Sequence, residues 1–282
     1  MFEISRIMTP VVFSANCRGA LRYAAGIASR FDAELTVLHV LEPLHRMDFD
    51  SAPCLQELEK ARRDWVHRAL TDLTFEMKPK VTVRDLCVEG DPATEIVRTA
   101  ESSGTDLIVI ATHGHGPFRR FLLGSVTAKV LHDSSCAVLT GAHLEQALAQ
   151  KGTAGEDVRL VLCAVDFGAQ IDAALEWSAG MASAYNATLA LLHVVGPAHD
   201  PNRQRSSVQE ALERLEHWSK MVKIDAEAHV AVGTVPDQVA NEAQRLGAGV
   251  LVIGRGHMKG GGRLRSTSYT IIRESPCPVV SV

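Results

Sequence analysis

A glycine-containing loop between a buried strand and a helix is the part of the sequence best suited to chemistry. Within residues 108–126, an apolar run leads into Gly114 and Gly116, which allow close backbone approach to a ligand because they carry no Cβ. Gly124 and Ser125 then open a helical pattern. The start of a helix offers free backbone N–H groups and a positive dipole end to an anion. The loop therefore predicts a phosphate site; the alternative is that Gly124 and Ser125 only begin the helix.

Other catalytic and metal motifs are absent from the sequence. There is no GxxxxGKS or GxxxxGKT phosphate loop and no convincing Ser-His-Asp arrangement. His113 and His115 stand two residues apart without a clear Cys or carboxylate pair nearby, which argues against a zinc site. His39 and His193 occupy matching strand ends, and a hydrogen-bonded imidazole explains this pair better than catalysis does. The sequence thus assigns no catalytic residue and no metal ligand.

Apolar runs and helical patterns alternate on both sides of this loop. In the first half, the predicted strands are residues 4–13, 34–41, 80–88, 105–111 and 137–140. The predicted helices are residues 20–30, 55–75, 93–102 and 124–132. The longest helix is expected to bury a stripe that includes Leu58, Trp65 and Leu73. This alternation predicts an α/β fold with a parallel sheet and helices on both faces.

The same pattern occurs twice, which is the most informative feature of the chain. Four segments of the first half recur in the second, and the matched pairs are 6–13 with 160–167, 33–40 with 187–194, 104–110 with 247–253, and 135–139 with 276–280. Between the copies, residues 146–157 are small and polar, as in a linker. The repeat therefore predicts two tandem domains, 1–145 and 158–282, each long enough to form its own core.

Charge and composition argue against several classes of protein. A formal net charge of −4 gives no reason to expect nucleic acid or an anionic membrane as a partner. The N-terminal residues lack a signal-peptide pattern, and no apolar window reaches the roughly 18 residues that span a bilayer. The six cysteines are scattered without a CxxC pair, which is typical of reduced intracellular thiols. We therefore expect a cytoplasmic protein that binds neither nucleic acid nor membrane.

The strand–loop–helix pattern and its repeat resemble a tandem universal stress protein, over both halves almost end to end. Nucleotide-binding members of that family carry Gly-x-x-Gly, then nine residues, then Gly-Ser or Gly-Thr. The first half has Ala111-Thr-His-Gly114, nine residues and Gly124-Ser125, so only the first glycine differs. The resemblance implies two doubly wound domains, each a five-stranded parallel sheet of order 3-2-1-4-5. It also implies packing through the last strands, either within the chain as a pseudo-dimer or between two chains as a homodimer.

An adenine nucleotide such as ATP is the ligand that this resemblance implies, with Mg²⁺ present only on the nucleotide. In an open parallel sheet, ligands lie at the carboxyl ends of the strands, where the strand order reverses. The resemblance implies that the adenosine lies against Pro10, Val12, Val40 and Ala111. It implies that the phosphates lie against Gly114, Gly124, Ser125 and Val126, with Gly116 in the same loop.

Each half departs from the family's full set of binding residues, and the two departures are opposite. ATP-binding members have an acidic residue near the end of the first strand, where the first half has Val12. One lost hydrogen bond costs about 1–3 kcal/mol, or roughly ten- to a hundredfold in affinity. The second half keeps this acid as Asp166 and the first signature glycine as Gly254, but it has His257 and Arg265 at the later signature positions.

The second loop is also basic, because it contains Arg255, Lys259, Arg263 and Arg265. Its side chains could form an anion site of their own. The alternatives are a solvated loop and a loop that contacts the other half of the chain. Since Arg265 replaces a glycine where phosphate needs close backbone approach, the nucleotide is expected mainly in the first half.

The combined pattern favours a non-catalytic or barely catalytic cytoplasmic stress-response protein that binds an adenine nucleotide weakly, mainly in the first domain. Such a protein would act through a conformational change or through protein partners that the sequence does not identify. Two alternatives stay open. One is a slow Mg²⁺-dependent ATP hydrolase, and the other is an interaction scaffold that binds no nucleotide.

Overall fold

The computed structural model describes residues 2–43, 52–75, 77, 81–112, 123–141, 144, 157–168, 171–221, 225–255 and 266–282. The first half contains β1 (Arg6–Pro10), α1 (Ala15–Phe31), β2 (Glu34–Leu41), α2 (Ala52–Thr74), β3 (Val83–Glu89), α3 (Pro92–Ser103), β4 (Leu107–Val109), α4 (Ser125–Asp133) and β5 (Ala137–Thr140). The second half contains β6 (Leu160–Ala164), α5 (Ile171–Tyr185), β7 (Thr188–Val195), α6 (Pro201–Met221), β8 (Ala226–Val232), α7 (Val235–Leu246), β9 (Val250–Ile253), α8 (Ser266–Glu274) and β10 (Val279–Ser281).

The predicted strand–helix alternation is confirmed, although two strands end before the apolar runs do. The prediction carried the first strand to residue 13, whereas β1 ends at Pro10. Phe13 has a φ of 58°, which lies in the left-handed region and cannot continue a strand. The prediction for β4 covered residues 105–111, and the ladder is shorter, although the Ile110 N–H still donates to the Leu139 carbonyl at 3.0 Å. Because both strands end early, the backbone leaves the sheet at the carboxyl edge, where a ligand is expected.

All the described strands join one ten-stranded sheet, in the order β3-β2-β1-β4-β5-β10-β9-β6-β7-β8. Each half therefore has the predicted order 3-2-1-4-5. The strand pairs within each half are parallel, and β5 pairs with β10 antiparallel, with Leu139 opposite Val280. The last strands thus pack together within the chain, the first of the two arrangements that the resemblance implied. The predicted linker, residues 146–157, lies outside the described residues except for Asp157.

Helices cover both faces of this sheet because successive strand residues point to opposite sides. Leu35 and Val37 of β2 pack in one apolar layer with α1, α2, α5 and α6. The next residue, Leu38, points to the other side of the sheet and packs in the second layer with α3, α4, α7 and α8. Both layers contain residues of both halves, so the core runs without a break through the β5–β10 junction.

An aromatic cluster joins the two halves on the face of α1 and α5. The ring of Phe2 meets the ring of Trp177 edge-on, with centroids 4.9 Å apart. Gly180 lies beneath the Phe2 ring, where a Cβ would come within 2.6 Å of three ring atoms. The Arg30 Nε donates to the Ala184 carbonyl at 2.6 Å in the same contact. Close packing at Phe2 therefore requires the glycine.

A partly buried arginine joins the halves on the opposite face. The Arg255 guanidinium donates to the backbone carbonyls of Ser134 and Cys136 in the first half, and to the Ser281 carbonyl at 3.1 Å. Burial lowers the pKa of Arg255 below its ordinary value. Of the three interpretations of the basic loop, Arg255 thus fits the contact with the other half. The remaining basic residues of that loop, Lys259, Arg263 and Arg265, lie outside the described residues.

Candidate functional site

A cavity of about 490 Å³ opens at the carboxyl edge of the first five strands. It lies between the ends of β1, β2 and β4 and the first turns of α3 and α4. The predicted nucleotide residues that line it are Pro10, Val12, Val40, Ala111, Gly124, Ser125 and Val126. Gly114 and Gly116 lie outside the described residues. The described part of the predicted first-half site is thus gathered around one cavity.

The first turn of α4 presents unbonded backbone donors to this cavity. Gly124 is the N-cap and supplies no side-chain cap, and its own N–H donates to the Thr112 carbonyl at 2.9 Å. The Thr127 hydroxyl donates to the Ala111 carbonyl at 2.9 Å and so holds the helix against the end of β4. Within the described residues, no acceptor takes the N–H groups of Ser125 or Val126. An uncapped helix start of this kind, with a serine hydroxyl beside it, suits a phosphate.

The turn after β1 is held by a histidine from β2. The His39 Nδ1 lies 2.8 Å from the Val11 carbonyl, and because a carbonyl only accepts, Nδ1 carries the proton in this bond. The His39 ring also lies against the Phe13 ring, with centroids 4.7 Å apart. Burial, and the nearby charge of Arg62, lower the pKa of His39, so its imidazole is neutral at pH 7. A hydrogen-bonded, structural imidazole is what the sequence predicted here.

Val12, at the position where the resemblance implies an acidic residue, has an apolar side chain that is 42% exposed at the cavity edge. Its backbone N–H lies 3.4 Å from the Cys17 sulfur, a weak acceptor. The side chain therefore offers no acceptor to a sugar hydroxyl or a base.

One charged residue of the cavity was missed by the sequence reasoning. Arg62 on α2 lines the cavity and is partly buried. The predicted buried stripe of α2 was wrong at Leu58 and Trp65, which are 48% and 55% exposed, although Leu73 does pack against the core. The fully buried positions of the helix are Val66 and Leu70. Arg62 precedes Val66 by four residues and so lies on the inward side of the helix. Placing the stripe on Val66 and Leu70 would have distinguished Arg62 from its neighbour Arg63.

The second half has a smaller cavity, of about 250 Å³, at the matching edge. Asp166 and Gly254, the two second-half residues predicted to bind the nucleotide, both line it. One Asp166 carboxylate oxygen accepts the Gly168 N–H at 2.8 Å. His257 and Arg265, the positions that depart from the signature, lie outside the described residues.

The histidine framework of the first cavity is repeated in the second. The His193 Nδ1 lies 2.8 Å from the Val165 carbonyl, and its ring lies 4.3 Å from that of Phe167. Phe167 has a φ of 55°, close to that of Phe13. A backbone geometry that non-glycine residues rarely adopt is therefore kept at both sites. Both cavities thus have the same histidine–carbonyl bond and the same left-handed phenylalanine. They differ at the residue between the carbonyl and the phenylalanine, which is Val12 in the first half and Asp166 in the second.

Buried thiols and metal ligands add no second centre within the described residues. Burial raises the pKa of Cys163 to about 12, and it raises the pKa values of Cys136 and Cys277 to about 11. These thiols are therefore protonated at neutral pH and weakly reactive. Across the described ranges, no group of three or more His, Cys, Asp or Glu side chains is arranged to hold a metal ion. In the same ranges, no helix has the length and apolarity to cross a bilayer.

Comparison with known proteins agrees with this architecture. A profile of the universal stress protein family matches residues 3–140 and 158–282. Universal stress protein MJ0577 of Methanocaldococcus jannaschii is 30% identical over 149 residues, covering 48% of this chain and 92% of that protein. A universal stress protein of Mycolicibacterium smegmatis is 25% identical over 296 residues, covering 98% of this chain and 96% of that protein. The crystal structure of a universal stress protein from Archaeoglobus fulgidus has the same fold, with a TM-score of 0.71 at 23% identity over 99% of this chain and 96% of that one.

Proposed function

The chain belongs to the universal stress protein family, and from that membership we propose that it is a cytoplasmic stress-response protein whose first half binds an adenine nucleotide. Its two domains are residues 1–145 and 158–282 in this proposal. Binding alters the conformation of the chain or its contacts with partner proteins, and no chemical step is required.

The observation that carries the proposal is the uncapped start of α4 inside the first cavity. Phosphate oxygens accept hydrogen bonds from the free N–H groups of Ser125 and Val126, and Gly124 allows them to approach the backbone closely. The adenosine then extends across the strand ends, and its contacts are Pro10, Val12, Val40 and Ala111. Mg²⁺ is bound through the phosphates, as this ion usually is.

Cavity size supports the first half as the main site. A volume of about 490 Å³ lies within the range of roughly 300–1,000 Å³ that is common for small-molecule sites. The second cavity, at about 250 Å³, lies below that range. Because Val12 replaces an acceptor, the first site binds roughly ten- to a hundredfold more weakly than a site with the acid.

Calorimetry of the full chain with ATP, ADP and AMP, with and without Mg²⁺, tests the proposal. Replacement of Gly124 by Val puts a branched side chain at the phosphate position and should abolish the main binding event. The matched variant Gly254→Val alters the second cavity and should leave that event unchanged. Loss of binding only in the Gly254 variant would move the site to the second half.

The two alternatives are separated in the same preparation. No heat signal and no thermal shift at millimolar nucleotide would refute the proposal and favour an interaction scaffold. ATP turnover that disappears in Ser125→Ala would favour a slow hydrolase, because that hydroxyl stands beside the phosphate donors.

A further inference from the structure

Arg62 is a cation inside the first cavity with little else to bind. Its Nη2 donates to the Glu42 carbonyl at 3.3 Å, which is a long hydrogen bond. Within the described residues it makes no ion pair, not even with Glu42, which lines the cavity beside it. A guanidinium has five N–H donors, so most of those of Arg62 are left for a ligand.

This cation lies on the opposite side of the cavity from the start of α4. Arg62 stands next to His39, whose ring is bonded to the Val11 carbonyl at the end of β1. The helix start follows β4, and β1 separates β4 from β2. The two groups also come from helices on opposite faces of the sheet, α2 for Arg62 and α4 for the helix start. The cavity therefore has two separate groups that attract anions, one on each side of it.

The residues around Arg62 differ from those of the second cavity in a chemically familiar way. In dinucleotide sites, a carboxylate accepts hydrogen bonds from free ribose hydroxyls, whereas an arginine accommodates a phosphate on the ribose. The second cavity has the carboxylate, Asp166. The first has no acid at the matching position, Val12, and has Arg62 nearby. Loss of the acid removes one carboxylate that would repel a ribose phosphate there, so that Glu42 is the carboxylate that lines this cavity beside Arg62.

We propose that the first cavity selects adenine nucleotides that carry a second phosphate on the ribose, at the 2′ or 3′ position, and that Arg62 is the selecting residue. This inference rests on the proposed nucleotide binding in the first half. The 5′-phosphate occupies the start of α4, and the ribose phosphate pairs with the Arg62 guanidinium. The apolar Val12 side chain lies beside the sugar and accepts no hydrogen bond from it.

Calorimetry of the full chain with AMP, adenosine 2′,5′-bisphosphate and adenosine 3′,5′-bisphosphate tests this selection. At least one bisphosphate should bind about ten- to a hundredfold more tightly than AMP, the range expected for a charge-assisted pair. Arg62→Gln should remove the preference, so that the variant binds that bisphosphate and AMP with about equal affinity. Arg63→Gln is the matched control, because Arg63 pairs with Glu89 at 2.6 Å and does not line the cavity. It should keep the full preference.

The outcomes separate this inference from the proposed function. AMP binding with no preference for either bisphosphate overturns the selection and leaves nucleotide binding in place. A preference that survives Arg62→Gln, or that Arg63→Gln removes, overturns the role of Arg62. If neither AMP nor a bisphosphate binds, both the inference and the proposed function fail. The better of the two bisphosphates identifies the position of the ribose phosphate.

Discussion

Replacing Gly180 by Ala tests how tightly the two halves pack at the aromatic cluster. Gly180 lies near the middle of α5, directly beneath the ring of Phe2. A new methyl group would come within 2.6 Å of three ring atoms, so the ring has to move. Since Phe2 also contacts Trp177, its displacement breaks an edge-to-face pair as well.

Opposing contributions determine the expected size of this effect. Overpacking in a close-packed site costs about 1–3 kcal/mol, and loss of the aromatic pair costs about 0.5–1.5 kcal/mol. Ala favours a helix interior over Gly by about 1 kcal/mol, which offsets part of that cost. We therefore expect Gly180→Ala to lower the free energy of unfolding by about 1–3 kcal/mol.

Chemical denaturation of matched variants can refute this explanation. In a Phe2→Ala background the clash is gone, so Gly180→Ala should become stabilising by up to about 1 kcal/mol. Gly196→Ala is the control, because nothing lies within 4 Å of a Cβ at that position, and it should change stability by less than about 0.5 kcal/mol. An equal loss of stability with and without Phe2 would show that the ring is not the cause.

Two further predictions concern Arg255 and His39. Arg255→Lys should lower the free energy of unfolding by about 2–3 kcal/mol, because a lysine lacks the planar guanidinium that donates to three carbonyls. Arg159→Lys is the control and should be neutral, because Arg159 forms an exposed pair with Asp157. An equal loss of stability in the two variants would refute the argument. His39 should titrate below pH 6.5 by NMR, because burial lowers its pKa in the folded state. As the pH falls, His39 is protonated first in the unfolded chain, so the fold loses stability below about pH 6.5. This loss should be smaller in His39→Gln. A His39 titration midpoint at or above pH 6.5 would contradict the assignment.

The parallel sheet with helices on both faces was accessible from the sequence because the pattern occurs twice, whereas the strand order and the pairing of the last strands were implied by the resemblance to the family. Each apolar run supports the matching run in the other half, and the alternation with helices leaves few arrangements of a parallel sheet. The uncapped start of α4, where we propose that phosphate binds, was accessible for a local reason, since a glycine and a serine after a strand make the same helix start in many folds.

Side chains that act across the fold were not accessible in this way. Arg62 is one of two adjacent arginines, and only the exact phase of α2 decides which one faces the cavity. In the sequence, Arg255 belongs to a basic loop. Its hydrogen bonds depend on the position of the Ser134 and Cys136 carbonyls, which follow α4 in the other half. The positive φ of Phe13, just after the end of β1, cannot be predicted from an apolar residue type. Each of these depends on contacts between segments far apart in the chain.

The antiparallel pairing of β5 with β10 has a consequence for how the two halves diverge. A symmetric dimer uses the same surface on both subunits, so every substitution appears on both sides of the interface. In this chain, Arg255 reaches across the junction while the matching position holds Thr112, an asymmetry that a symmetric dimer cannot have. The same freedom applies at Val12 and Asp166. Covalent fusion of the halves thus allows the lining of one cavity to change while that of the other is kept, within a single shared sheet.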